Sequence, residues 1–565
     1  MSSAAEPLAI PVARPRAAAI DPEYAVGLAV LGIALVAGLA TAAHYGVTID
    51  EFNTNDYGPK ALAWYTSGFV DRSHFETVEA PLWYYGPWAQ MLIAAVQSLG
   101  LADPLTVRHA LTFLIGLAGL AALYPIARLS FGRWVGPAAI VICLSTGYLY
   151  GNLFFAPIDV PFLAAMGAAT LAIMAMARTA VPGWPATVGA GVAMGLAIAT
   201  RTGGVITHAY LLGALALCGL DAVASGGAAA RPALLRIAVR GLAAVALAWL
   251  VAIALWPWLQ IGDPFTQFKI AYVHFATIGT DFEFDHWGRR LLTTELPWSY
   301  IPEQWLARLP IGFLALLATA TLLGIVAAIR WARTGLATGR NGRPGLRDAA
   351  IRLARSRNIL LVWVAALAPV AFVMVTGATL YDGVRHTLFV IPMLALLAGW
   401  ALVRLAGLLG RARIVAAPLA LAYLGVVLAN LATLHPLEYI ATNAFAGGTA
   451  GSYERFELDY WSAAATEALR RLESRLDQTG GFAGARPSIV MCIPYREQMA
   501  GIMLDGKWRL ETDPDKADFA IETQRYRCAA DRPALALIDE VTRYGRPFAW
   551  TFVSTKSRWA GLAGR

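Results

Sequence analysis

Apolar stretches of about twenty residues recur along this chain from residue 24 to residue 433, and they leave few folds open. A helix of that length satisfies its own backbone hydrogen bonds and crosses the hydrocarbon core of a bilayer. The stretches fall at approximately 24–45, 107–127, 134–150, 157–177, 186–206, 207–222, 238–258, 309–329, 359–379, 385–404 and 414–433. They predict a polytopic α-helical membrane protein with about eleven transmembrane helices. Only 15% of the residues are charged, against about 25% in soluble domains, which excludes an ordinary soluble enzyme. The stretch 87–101 is apolar but short, and is expected to lie along the interface. The region from Gly27 resembles a signal-peptide core, but Arg14 and Arg16 precede it and no cleavage site follows. It is read as an uncleaved first span after a cytoplasmic tail, 1–23.

The net charge of +8 is carried mainly by arginine. Its position excludes a nucleic-acid reading, because it falls in alternate loops: Arg128 and Arg133; Arg178; Arg231, Arg236 and Arg240; a run from Arg330 to Arg357; then Arg404, Arg411 and Arg413. The positive-inside rule places those loops in the cytoplasm. The loops 47–106 and 259–308 then lie outside, as does everything after the membrane domain 24–434. Residues 435–565 form a more charged region. Ala463 to Leu476 reads as an amphipathic helix, and 487–493, 518–523 and 548–553 read as strands, giving a small external α/β domain. Cys143 and Cys218 fall within apolar spans; Cys492 and Cys528 lie in the polar C-terminal region, where a bridge stays open but two free thiols are favoured, since nothing fixes their spacing.

The chemistry-bearing candidates gather on the external side. Asp50 and Glu51 stand together in Thr48-Ile49-Asp50-Glu51-Phe52, where they read equally as a solvated helix-end pair or as neighbours of which one has a raised pKa and suits a proton acceptor. Asp159 lies between two prolines in Pro157-Ile158-Asp159-Val160-Pro161, a position that a helix cap partly explains. Lys60, Arg201, Arg385 and His386 put cations on the same side, against the general trend. Each alone reads as a snorkelling side chain, whereas together they suit a phosphate or pyrophosphate. Tyr84 and Tyr85 sit in an aromatic substrate-loop segment, Pro81-Leu82-Trp83-Tyr84-Tyr85. His274, Asp281, Glu283, Asp285 and His286 match no metal-ligand spacing and read as an ordinary polar loop.

In this order and sidedness, these elements resemble the GT-C glycosyltransferases, specifically the protein O-mannosyltransferase and aminoarabinose-transferase-like superfamily. The matching pieces are Asp50-Glu51 opening the first external loop, Pro81 to Tyr85, Asp159 at the start of the fourth span, and Arg385-His386-Thr387-Leu388-Phe389-Val390-Ile391-Pro392. The stretches His435 to Tyr439 and Phe456 to Trp461 resemble a bacterial subgroup, with Ser462 where that subgroup often has glycine. The resemblance covers about residues 24–461. It implies a GT-C-like fold in a bacterial inner membrane, with the active site facing the periplasm. It also implies a polyprenyl-phosphate sugar donor and a lipid, glycan or protein acceptor. Asp50 would be the base, Glu51 would orient acceptor or sugar, and Asp159 would shape the site. Arg385, with His386, Lys60 or Arg201, would receive the lipid phosphate. No cofactor is required by that scheme, and a divalent metal has no support from the residues. The competing reading is a secondary transporter or lipid flippase. It fits less well because the charges cluster at one face and no inverted repeat is visible.

Overall fold

The computed structural model describes residues 21–77, 81–179, 181–226, 229–277, 282–337, 346–482 and 486–564. Most of the N-terminal tail, and Asp281 in the second long loop, lie outside the described residues. Among the described residues nine helices are long and apolar enough to cross a membrane, from Pro22–His44 to Gly410–Leu434. Two of the eleven predicted segments take another form. Residues 134–150 belong to a pair of helices, Val135–Leu144 and Gly147–Phe155, bent by 73° at the break between them. The segment 186–206 shortens to Trp184–Ile198, because the chain turns at Arg201 into the 3-10 helix Thr202–Val205 that opens the next span. A hydropathy window does not register that turn. The stretch 87–101 becomes the ten-residue helix Trp88–Gln97.

Local chemistry sets the helix starts. Asp21 caps Pro22–Thr41 by accepting from the Glu23 N–H at 3.2 Å, and Asp103 caps Pro104–Ala121 by accepting from Thr106 N–H at 2.9 Å. Each capping aspartate precedes a proline at the first helical position, where the missing N–H costs nothing. The two ends of the bundle are stitched separately. At one end Arg128 reaches Glu23 at 2.7 Å, Arg357 donates to Ala177 O at 2.6 Å, and Asn358 donates to Leu129 O at 3.1 Å. At the other, Arg470 donates to His44 O at 2.7 Å and Arg543 to His435 O at 2.8 Å. These last two contacts seat the C-terminal region on the ends of the first and last spans.

The second long loop carries an antiparallel hairpin, β1 (Glu283–His286) and β2 (Arg289–Leu292), that the sequence reading does not anticipate. The C-terminal region holds the expected helix, Ala464–Gln478, with Leu469, Leu472 and Leu476 buried. Beside it is a five-stranded sheet of β3 (Ser488–Cys492), β4 (Arg509–Leu510), β5 (Phe519–Thr523), β6 (Leu535–Arg543) and β7 (Arg546–Ser554), in the order β4-β3-β5-β7-β6. β3 pairs in parallel with β4 and β5, while β7 runs antiparallel to β5 and β6.

Of the two states the sequence leaves open for Cys492 and Cys528, the less favoured one is found: they form a disulfide. Cys492 ends β3 and faces Glu522 of β5 in the parallel register. The Glu522 carboxylate then gathers the N–H groups of Cys528, Ala529 and Ala530 at 3.1, 2.9 and 3.2 Å. The loop is thereby folded back until the two Cα atoms stand 5.6 Å apart, within bridging reach. Strand register sets this proximity, and cysteine spacing does not encode it.

Candidate functional site

Thr48 and Glu51 form a reciprocal capping box that starts the helix Ile49–Thr66, with Thr48 N–H donating to Glu51 Oε2 at 3.0 Å. The box turns Glu51 inward, where its side chain is 1% exposed and its Oε1 lies 2.9 Å from His109 Nε2. Asp50, one residue earlier, points the other way into a cavity of about 110 Å³ and keeps a quarter of its side chain exposed there. Both carboxylates sit in the first helical turn, where the helix dipole favours negative charge.

The same cavity receives Asp159, from the first turn of the helix Asp159–Met176, together with Arg201, Arg385, Tyr85, Asn53, Thr54, Tyr381 and His274. Arg385 Nη1 lies 2.5 Å from Asp50 Oδ2 and 3.9 Å from Asp159 Oδ2, so one guanidinium nitrogen faces two carboxylates. Arg201 pairs with the other oxygen of Asp159. On the far side, Arg385 Nη2 lies 3.3 Å from Asp382 Oδ2. Burial pushes the Asp50 carboxyl above its ordinary range; Arg385 pulls it back, and the charges of Asp382 and Asp159 push it up further. The result is a carboxylate with enhanced basicity, held against a cation.

Backbone geometry explains how the pieces arrive. Asp382 and Gly383 adopt left-handed conformations at φ 56° and 72°, which aspartate tolerates and glycine favours, and the turn aims Arg385 at the cavity. Tyr300 OH donates to Gly383 O at 3.0 Å and fixes the turn from the second long loop. Tyr85 is held by its carbonyl, which accepts from Tyr57 OH at 2.9 Å. The next residue, Gly86, packs so closely on the helix Trp184–Ile198 that a Cβ there would overlap the Ala199 carbonyl.

The structure therefore brings together Asp50, Asp159, Arg201, Arg385 and Tyr85. It does not bring the other candidates to the cavity wall. Lys60 is bonded to Asp56 at 2.8 Å and to Glu76 O at 2.9 Å, farther along the helix that starts beside Asp50. His386 is turned toward the Tyr381 ring, their centroids 4.7 Å apart. Tyr84 packs on Trp258 and His274. Glu51 is committed to its capping box and His109. Among the described residues no group of three or more His, Cys, Asp or Glu side chains is arranged to hold a metal ion. The sequence assigns no role to Asp382, Tyr381, Asn53 or Thr54, and places His274 in an ordinary polar loop. The Asp-Gly dipeptide two residues before Arg385 was the available signal for Asp382.

Glu51→Ala is expected to lower unfolding free energy by about 1–3 kcal/mol, because it removes the buried partner of His109 Nε2 and one half of the capping box. Thermal unfolding in detergent measures this. An unchanged melting temperature together with lost turnover would return Glu51 to the chemistry.

No family model matches the chain, and no curated protein matches it. Among solved structures, the chain is similar to ArnT from Cupriavidus metallidurans bound to undecaprenyl phosphate. The two share 16% identity over 96% of this chain and 98% of that one, with a TM-score of 0.45. For the apo state of the same protein the values are 14%, 96%, 100% and 0.48. The archaeal oligosaccharyltransferase AglB from Archaeoglobus fulgidus, in complex with an inhibitory peptide and a dolichol-phosphate, matches at 14% identity. It covers 87% of this chain and 65% of that one, with a TM-score of 0.45.

Proposed function

We propose that the protein transfers a sugar from a polyprenyl-phosphate-linked donor to an acceptor hydroxyl at the external membrane face. The observation that carries this reading is the Asp50 carboxylate, held 2.5 Å from Arg385 in a cavity that Asp159 and Arg201 also line. Asp50 accepts the proton of the acceptor hydroxyl as its oxygen attacks the anomeric carbon. The bond from that carbon to the phosphate oxygen breaks, most simply with inversion, and lipid phosphate departs as an anion. Arg385 and Arg201 stabilise the charge that develops on the leaving group, typically a large electrostatic contribution. Asp159 holds Arg201 in place and borders the acceptor side. No metal takes part in this scheme.

Two observations support an external site. Arg128 and Arg357 lie at the end of the bundle opposite Asp50, where the positive-inside rule expects the cytoplasm. The Cys492–Cys528 disulfide, in the domain seated at the same end as Asp50, suits a compartment that oxidises thiols. The test is mass spectrometry of envelope lipids, glycans and proteins from a deletion strain. One glycan, lipid or protein is expected to lose a single sugar and to regain it on complementation. An envelope identical to the parent's in all three fractions would overturn the reading.

A further inference from the structure

Behind Arg385 lies a second guanidinium that the scheme above does not use. Asp382 Oδ1 is 2.9 Å from Arg525 Nη1, while its Oδ2 faces Arg385. Arg525 comes from the C-terminal domain, from the loop that follows β5. Three ties pin that loop. The Cys492–Cys528 disulfide closes one side. Glu522 gathers the N–H groups of residues 528–530. Gln524 accepts from the N–H groups of Leu458 and Asp459, each at 3.3 Å, and donates to Tyr453 O at 2.8 Å. The Arg525 side chain is 14% exposed. It also donates to Tyr460 O at 2.9 Å, lies 3.4 Å from Glu457 Oε1, and stacks over Phe282 at 4.8 Å. So many partners for one arginine fix its position closely. Burial raises the Glu457 carboxyl to about 7, and Arg525 beside it pulls it back.

Resting on the phosphate-site reading of Arg385, we propose that Arg525 is a positioning residue. By holding one oxygen of Asp382, it keeps that carboxylate from closing on Arg385 with both oxygens, and so leaves Arg385 donors for the phosphate of the lipid donor. A carboxylate and a guanidinium pair most strongly in the two-pronged geometry. Without Arg525, Asp382 adopts that geometry on Arg385 and competes with the ligand. The C-terminal domain is thereby part of the donor site, through a side chain that never touches the donor.

The test is a double-mutant cycle on the full chain, read by binding of undecaprenyl phosphate, with thermal melting recorded for each variant. Arg525→Ala is expected to weaken binding about tenfold, within the range seen for coupled neighbours. Arg525→Lys is expected to recover most of the loss, because it restores a cation for Asp382, whereas simple loosening of the domain would not be repaired this way. In an Arg385→Ala background, Arg525→Ala is expected to add less than about twofold, since the route through Arg385 is already gone. Should Arg525→Ala fail to fold, Arg525→Gln removes the charge while keeping much of the shape, and the same cycle is read with it. If Arg385→Ala weakens binding and Arg525→Ala does not, the positioning role is overturned and the phosphate site stands. Additive losses would overturn it equally, since Arg525 would then act independently of Arg385. If neither substitution changes binding, the phosphate-site reading fails and this inference fails with it.

Discussion

Asp50→Asn is expected to leave the protein folded and able to bind undecaprenyl phosphate, while sugar transfer falls about 10²–10⁴-fold, the usual contribution of a general base. The substitution keeps the shape of the side chain and its hydrogen-bonding contact with Arg385, and removes only the ability to take a proton. It is checked by whether the variant restores the sugar missing from the deletion strain. Single-turnover rates follow once donor and acceptor are known. The pH dependence has a defined sign. As the proposed base, Asp50 would work only when deprotonated, so activity is expected to rise with pH through its folded pKa. That pKa lies above the ordinary carboxylate range because burial outweighs the pull of Arg385. The acid limb of kcat/KM therefore sits at higher pH than a solvated aspartate would give. Asp382→Asn removes one of the like charges that push Asp50 up, and is expected to move the limb toward lower pH. Full transfer by purified Asp50→Asn protein would eliminate Asp50 as the base.

Arg385→Ala carries the second large effect. A hydrogen bond to a charged partner contributes about 1.5–3 kcal/mol, so the affinity for undecaprenyl phosphate is expected to fall about 10- to 100-fold. Transfer is expected to fall further, because in the proposed scheme the same side chain stabilises the departing phosphate. Arg385 also lowers the Asp50 pKa, so its loss is expected to shift the acid limb upward, opposite to the effect of Asp382→Asn. Arg385→Lys should recover only part of the binding, since an ammonium cannot present a planar fork to phosphate oxygens. Isothermal titration with the lipid and a pH–rate profile read the two effects separately. Unchanged affinity and turnover in Arg385→Ala would remove this residue from the donor site.

Much of this was legible in the sequence, for reasons that belong to particular residues. Long apolar runs declare membrane helices whatever their neighbours are, and Pro22 and Pro104 after capping aspartates mark where two of them begin. Asp50, Asp159 and Arg385 stand out because charge at the end of an apolar run is costly. Features that depend on register were hidden. Glu51 is an exception, since the Thr48-x-x-Glu51 spacing is a local capping-box pattern that separates it from Asp50, sending one inward and leaving the other to the cavity. Lys60 was conspicuous for its rarity, yet Asp56 one turn earlier already neutralises it. The Cys492–Cys528 bond and the Arg525–Asp382 pair join segments brought together only by the C-terminal sheet and its seat on the bundle.

The 2.5 Å contact between Arg385 and Asp50 means that, at rest, the proposed base and the proposed phosphate receptor satisfy each other. An arriving lipid phosphate then has to prise them apart, and the carboxylate is unmasked by the same event that loads the donor. Such an interlock would leave the empty enzyme idle toward passing hydroxyl groups. It would make the order of substrate arrival a property of one ion pair, with no moving lid required.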